Sequence, residues 1–193
     1  KSWDVAYDLN QISKLLVNEN HIKGLQSIND KTLADFNTFK AKVRNHVEAI
    51  EQQIKDIAQD TLDVITSAGI EYSNFTRSTL PNHFIKASQL QIKDLYKNKL
   101  ELQLSERQGL YSSKLDEDIV SKIEAILPQL ESRYLEQKER IIEYKFLKAV
   151  YKNITPLSVL NSIHGEVESI KEEQNLLLIS EFNNIISEHI NYL

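Results

Sequence analysis

Histidine offers this chain its widest choice of chemistry, because the imidazole ring binds metal ions and exchanges protons near neutral pH. The sequence contains five histidines: His21, His46, His83, His164 and His189. Two metal ligands on one helix face lie three or four residues apart, and no pair of these histidines has that spacing. No histidine follows a glutamate by three residues, as in helical di-iron sites. We therefore predict no metal ion and no cofactor.

Nucleophilic catalysis has equally few candidate residues. The chain has no cysteine and only four glycines, so it has no thiolate nucleophile and no Gly-x-Ser-x-Gly elbow or glycine-rich phosphate loop. Carboxylates are abundant, but a charged run on a long helix is typical of a solvated surface. Catalysis also requires a concave pocket that excludes water, which elongated helical bundles rarely provide. We predict that the protein is not an enzyme.

The overall charge limits the classes of partner. The net charge of −5 gives the chain no bulk attraction to nucleic acid or to anionic lipid. No apolar run approaches the roughly 18–20 residues that span a bilayer. The opening residues KSWDVAYDLNQ carry acids where a signal peptide has an apolar block. We expect an intracellular, cytoplasmic protein that does not bind nucleic acid.

One row of lysines could still contact an acidic surface. Lys86, Lys93 and Lys97 share one side of a predicted helix, beside the apolar residues Phe84 and Ile85. Such a row could bind an anionic lipid surface or an acidic partner. The simpler interpretation is that long lysine side chains solvate this side of the helix, and the negative net charge favours it. Peripheral membrane contact is therefore not the favoured prediction.

A second row of lysines follows the next predicted helix. Lys138, Lys145 and Lys152 lie beside its apolar stripe at intervals of seven residues. Charges that flank an apolar seam can select an oppositely charged partner helix. Solubility is again the simpler explanation for this row.

Low glycine and proline content indicates that few, long helices position these side chains. With only four Gly and three Pro, the chain has few residues from which turns are built. Apolar residues recur at helical spacing through most of the sequence. The predicted fold class is all-α, an elongated antiparallel helical bundle or set of coiled-coil hairpins with four to five long helices. We assign residues 1–193 to a single elongated domain with approximate helices 2–28, 32–78, 82–108, 116–152 and 156–191.

The boundaries of these helices are predicted from local signals. From Leu33 to Ala68 the apolar residues alternate at intervals of three and four, which is typical of a coiled coil or long bundle. Asp30 or Thr32 can cap the start of this helix. Pro81 is predicted to end it, and Gly109 to end the next one.

The stretch RIIEYKFLKAVYKNITPLSVL, residues 140–160, predicts a turn between two helices. Thr155 is a good N-cap and Pro156 a favoured first helical residue, so the preceding helix should end near Asn153. Folding back there would pair Ile141 with Ile163 and leave Gln137 against an apolar neighbour. The sequence therefore predicts a helical hairpin at this point.

The segment from Leu176 to Ile190 differs from the rest because its apolar residues surround the helix. A single neighbouring helix cannot cover that circumference, so either the N-terminal helix packs there as additional core or another chain does. Trp3, near the start, is a packing residue or a contact for a partner. The candidate interface residues are Phe182, Ile185, Ile186, Ile190 and Trp3.

Three functional hypotheses remain from these patterns. The leading one is a non-enzymatic protein–protein interaction module, which acts as a scaffold, tether or spacer in a larger assembly and binds a protein partner or forms a homo-oligomer. An alternative is a crescent-type membrane-remodelling helical dimer, whose lipid-facing surface would be the Lys86, Lys93 and Lys97 row. A second alternative is a secreted helical toxin or virulence factor, which would need a signal or insertion segment.

Overall fold

The computed structural model describes residues 24–92 and 99–176, together with residues 7, 10, 11, 14 and 186. Helix accounts for 82 % of the structure. Within the described ranges there is no β-strand, and the only extended pairing is an isolated bridge between Phe75 and Tyr111. The predicted all-α class is confirmed.

Helices connected by short turns make up the described part of the chain. Two single-turn 3₁₀ helices, Tyr72–Asn74 and Thr76–Ser78, join the first helix to the second. The residues between the second and third helices, 93–98, lie outside the described ranges. The α-helices are α1 (Leu33–Ser67), α2 (Thr79–Ser88), α3 (Lys99–Glu106) and α4 (Glu117–Gln174).

The chain divides into two compact units. The central unit comprises Val43–Ala149, and the terminal unit comprises Lys1–Lys42 with Val150–Leu193. The single elongated domain remains a prediction.

Helix α1 begins in the terminal unit at a reciprocal cap. The Asp35 backbone N–H donates to Thr32 Oγ1 at 3.2 Å, and the Thr32 N–H donates to Asp35 Oδ2 at 2.8 Å. These bonds satisfy two of the backbone donors that the first turn of a helix leaves unpaired. Hydrogen bonds from Thr32 also lower the pKa of the Asp35 carboxyl. Thr32 is the cap, as the sequence predicted.

The prediction that α1 extends to residue 78 is wrong, because the helix ends at Ser67. Gly69 adopts a left-handed conformation with φ of 69°, which glycine reaches without steric cost. The Ile70 N–H then bonds to Ile65 O, and the Gly69 N–H to Thr66 O. This pairing is the Schellman motif, which terminates helices and packs a hydrophobic residue on each side. Ile65 and Ile70 are both buried.

Pro81 starts a helix where the sequence predicted an end. It is the third residue of α2, in the first turn, where a missing backbone N–H removes no helical hydrogen bond. The predicted single helix 82–108 is wrong, because α2 ends at Ser88 and residues 89–92 are not helical. Helix α3 finishes at Glu106 and Gly109 has φ of 69°, so the end of that range lies near the predicted residue.

The predicted hairpin at residues 153–156 is wrong, because α4 is continuous from Glu117 to Gln174. Within each unit, α4 contacts α1. In the terminal unit Lys40 Nζ donates to Thr155 Oγ1 at 2.6 Å, and Asn161 Nδ2 donates to Lys31 O at 3.1 Å. These contacts lie at and beyond the Thr155–Pro156 step, through which α4 stays helical. Pro156 lies in the helix interior, where it removes one backbone hydrogen bond.

The core of the central unit lies between α1 and α4, with α2 and α3 also contributing. Residue numbers fall along α4 as they rise along α1, because Gln137 contacts Ile54 while Glu143 contacts His46. The two helices therefore run in opposite directions in this unit. The buried residues that α4 contributes are spaced by three and four, as predicted: Ile123, Leu127, Leu130, Tyr134, Gln137 and Ile141.

Candidate protein-interaction surface

The structure describes one of the predicted interface residues. Ile186 is helical and 41 % exposed. Phe182, Ile185, Ile190 and Trp3 lie outside the described residues. An interface in the C-terminal segment therefore stays a prediction.

The predicted basic row is only partly described. Lys86 is exposed on α2, while Lys93 and Lys97 lie outside the described residues. Phe84, the aromatic neighbour of Lys86, is fully buried in the core of the central unit. It is therefore not available to enter a lipid surface beside the lysine.

A different apolar surface is exposed on α4 in the central unit. Leu135, Ile142 and Phe146 are 47 %, 57 % and 65 % exposed. Their offsets of seven and four residues place them on one side of the helix, with Glu139 between the first two. We refer to Leu135, Glu139, Ile142 and Phe146 as the outer stripe.

The core side of α4 fixes the direction in which the outer stripe points. Leu135 and Ile142 directly follow Tyr134 and Ile141, both of which are 1 % exposed. Successive residues of an α-helix are separated by about 100°, so burying the first member of each pair turns the second away from the core. The spacing of the stripe therefore follows from the spacing of the core.

Hydrogen bonds in the core hold this part of α4 in place. Gln137 is fully buried, and its Nε2 donates to Ile54 O on α1 at 3.2 Å. Its Oε1 lies 3.0 Å from His83 Nε2 on α2. The amide orientation leaves Oε1 as an acceptor, so His83 carries its proton on Nε2. The sequence prediction of an apolar neighbour for Gln137 is wrong, because a polar bridge joins three helices here.

Acidic residues line one side of the outer stripe. Arg133 pairs with Glu136 at 3.1 Å and Arg140 pairs with Glu143 at 2.8 Å. Glu143 also lies 3.4 Å from His46 on α1. Glu139 is exposed between these two glutamates and forms no ion pair with any described residue.

Lysines line the opposite side of the outer stripe. Lys138 donates to Glu101 Oε1 on α3 at 2.6 Å, and both side chains are partly buried. Lys145, seven residues further along α4, is exposed. The first lysine of the predicted row therefore already has an acidic partner within the chain.

The terminal unit has an unexpected polar surface on α4. The predicted hairpin placed Ile163 in a buried layer, but Ile163 is half-buried and Ile170, on the same apolar side, is 49 % exposed. That part of the prediction is wrong. The buried residues of this face are Ile154, Ser158, Asn161, His164 and Lys171.

Two of these buried polar residues have side-chain atoms without a hydrogen-bond partner. Neither ring nitrogen of His164 has a hydrogen-bond partner, and nor does Asn161 Oδ1. Glu168 Oε1 lies 3.8 Å from His164 Nε2 and accepts a hydrogen bond from Lys171 Nζ at 2.9 Å. Apolar periodicity does not indicate this face, because most of its buried residues are polar. Their spacing of three and four residues is the pattern in the sequence that could have indicated it.

The described residues do not assemble a metal site or a membrane span. In residues 24–92 and 99–176, no three His, Asp or Glu side chains are grouped closely enough to hold a metal ion. Among the helices of those ranges, none combines the length and apolar character needed to cross a membrane.

Comparison with known proteins assigns no relative. No protein-family model, curated protein or solved structure matches the chain. Function is therefore inferred from the residues and their geometry.

Proposed function

We propose that this protein is a non-enzymatic protein–protein interaction module, which acts as a scaffold, tether or spacer within a larger assembly. The observation that carries the proposal is the outer stripe of α4. Leu135, Ile142 and Phe146 form one row on a helix whose opposite side is fixed in the core. Apolar residues exposed singly are common, whereas a contiguous row with charged residues on both sides is typical of a binding surface.

The proposed arrangement is an elongated antiparallel helical bundle. The opposite directions of α1 and α4 support it in the central unit, where Ile54 contacts Gln137 and His46 contacts Glu143. The terminal unit supports it separately, because Lys40 contacts Thr155 while Lys31 contacts Asn161. A bundle of this kind would present the outer stripe along a helix and not inside a cleft, as suits a tether or spacer.

The two alternative functions gain no comparable support. The membrane-remodelling alternative used Phe84 as an apolar neighbour of the lysine row, and Phe84 is buried. No observation on residues 24–92 and 99–176 favours a secreted toxin. We therefore propose neither of them.

The test compares proteins that co-purify with the wild-type chain and with a stripe variant, Ile142→Ser with Phe146→Ser, from the source organism. The matched control is Leu102→Ser on α3, which removes another exposed leucine of the central unit. Quantitative mass spectrometry should show a discrete partner that is lost from the stripe variant and retained by the control, with helicity and melting temperature unchanged. Identical sets of co-purifying proteins from all three chains would contradict the proposal.

A further inference from the structure

The charges around the outer stripe restrict the chemistry of its partner. We propose that the stripe binds an amphipathic helix of a different protein, which places a lysine or arginine opposite Glu139. This inference rests on the proposed function, since it specifies the partner of the same surface.

Glu139 is the residue that requires the basic group. It lies between Leu135 and Ile142 in the stripe, so an apolar helix packed there would remove its carboxylate from water. Its neighbours three before and four after are Glu136 and Glu143, which add negative charge and already have arginine partners. Burying a carboxylate is unfavourable unless a cation or hydrogen-bond donor compensates it. No described residue of this chain pairs with Glu139, and in the proposed complex a basic residue of the partner compensates it.

A second copy of this chain does not supply that cation in a parallel arrangement. Two α4 helices packed in register through the outer stripe would place Glu139 of one copy against Glu139 of the other. Like charges facing each other in the seam between two helices oppose association. Repulsion between the two Glu139 side chains at the centre of the interface therefore disfavours the parallel homodimer.

An antiparallel second copy meets the same difficulty at the edges. In that geometry each flank of one helix lies beside the same flank of the other. Glu139 lies toward the flank of Glu136 and Glu143, so it would face that same acidic flank and an apolar residue of the stripe on the second copy, and neither supplies a cation in the seam. Flanking charges of this kind determine partner choice and orientation in helical pairs. The charges around the stripe thus favour a heterologous helix.

The opposite flank makes a weaker demand on the partner. Lys138 is already neutralised by Glu101, and both side chains are partly buried. The basic group opposite Glu139 is therefore the determining feature.

The test uses two synthetic amphipathic helical peptides of about three heptads, a length that provides a continuous apolar seam. The peptides are identical except for one central seam residue, which is lysine in the first and glutamate in the second. Fluorescence anisotropy measures the affinity of each peptide for the wild-type chain, for Glu139→Lys and for Ile142→Ser with Phe146→Ser.

We expect the lysine peptide to bind the wild-type chain about tenfold more tightly than the glutamate peptide, since the lysine compensates the carboxylate that binding removes from water, whereas the glutamate places a like charge against it. Glu139→Lys should reverse this preference. The stripe double variant should lose both peptides.

The outcomes separate the inference from the proposed function. Failure of both peptides to bind, or binding that survives the stripe double variant, would contradict the proposed function and the inference with it. Equal affinity of the two peptides through an intact stripe, or preference for the glutamate peptide, would overturn the inference alone. So would a homodimer in sedimentation equilibrium that Phe146→Ser abolishes.

Discussion

His83 on α2 donates a hydrogen bond from Nε2 to Gln137 Oε1 on α4 at 3.0 Å, and Gln137 Nε2 in turn donates to Ile54 O on α1. The His83 ring is also 5.1 Å from the rings of Phe84 and Tyr134, centroid to centroid. One buried amide therefore joins three helices in the central unit. It holds the part of α4 that carries the outer stripe.

Replacing Gln137 should destabilise the central unit strongly. Gln137→Ala leaves Ile54 O and His83 Nε2 without their partner and opens a cavity, so we expect a loss of about 2–4 kcal/mol in the free energy of unfolding. Urea denaturation measures the loss. The matched control is Gln129→Ala, an exposed glutamine on the same helix, which should change stability by less than about 0.5 kcal/mol. Equal effects of the two substitutions would show that the bridge contributes little.

The same histidine should make stability depend on pH. Burial lowers the pKa of His83 below its ordinary value of 6.5, because the protonated ring is poorly solvated there; the Gln137 hydrogen bond opposes the shift. The folded state thus binds this proton less readily than the unfolded state. The stabilising contribution is present above the unfolded pKa and is lost as the pH falls from there through the folded pKa.

A matched variant isolates this contribution from that of the other titrating groups. His83→Gln removes the titrating ring but keeps an amide able to bond to Gln137. Between pH 7.5 and pH 5, the wild-type chain should lose more unfolding free energy than this variant does. Parallel pH profiles for the two proteins would rule out His83 as a source of the dependence.

Helix continuity through Pro156 can be tested by removing the proline. Within a helix interior proline is less favourable than alanine by about 3 kcal/mol, whereas at the first position of a helix it is well tolerated. Because α4 is continuous here, Pro156→Ala should stabilise the protein by about 1–3 kcal/mol in chemical denaturation. A neutral or destabilising effect would favour the hairpin that the sequence predicted.

A double-mutant cycle tests the same point independently. Ile141 is 1 % exposed, so Ile141→Ala should cost about 2–4 kcal/mol, while Ile163→Ala at a half-buried position should cost less. The two residues lie on one continuous helix and not in facing layers of a hairpin. Their effects on unfolding free energy should therefore add within about 0.5 kcal/mol. Strong coupling would restore the predicted hairpin pairing.

The features that the sequence predicted correctly have a local cause. Thr32, one of the two predicted caps, bonds through its side chain to a residue of the first turn, and the α1 core residues Val43, Val47, Ile50 and Ile54 follow from spacing alone. These signals depend on neighbours three or four residues away. No distant part of the chain has to be known to interpret them.

The predictions that failed required information that spacing does not contain. Pro81 and Pro156 are each compatible with the first turn of a helix or with the interior of a longer one. Which of the two occurs depends on packing against neighbouring helices. The outer stripe has the same three-and-four spacing as the core stripe, so periodicity alone does not identify the buried side. In the terminal unit Ile170 is exposed while His164 is buried. Helical periodicity gives the spacing of a face, whereas the packing partner determines which face is covered.

Site-specific photo-crosslinking in the source organism tests most directly whether the outer stripe binds a protein partner. A benzophenone amino acid replaces Phe146 in one chain and the exposed Gln129, on another side of α4, in the control. If the outer stripe binds a partner, position 146 should give one discrete cross-linked protein, and position 129 should give none above background. No discrete product at position 146, or the same products from both positions, would contradict it.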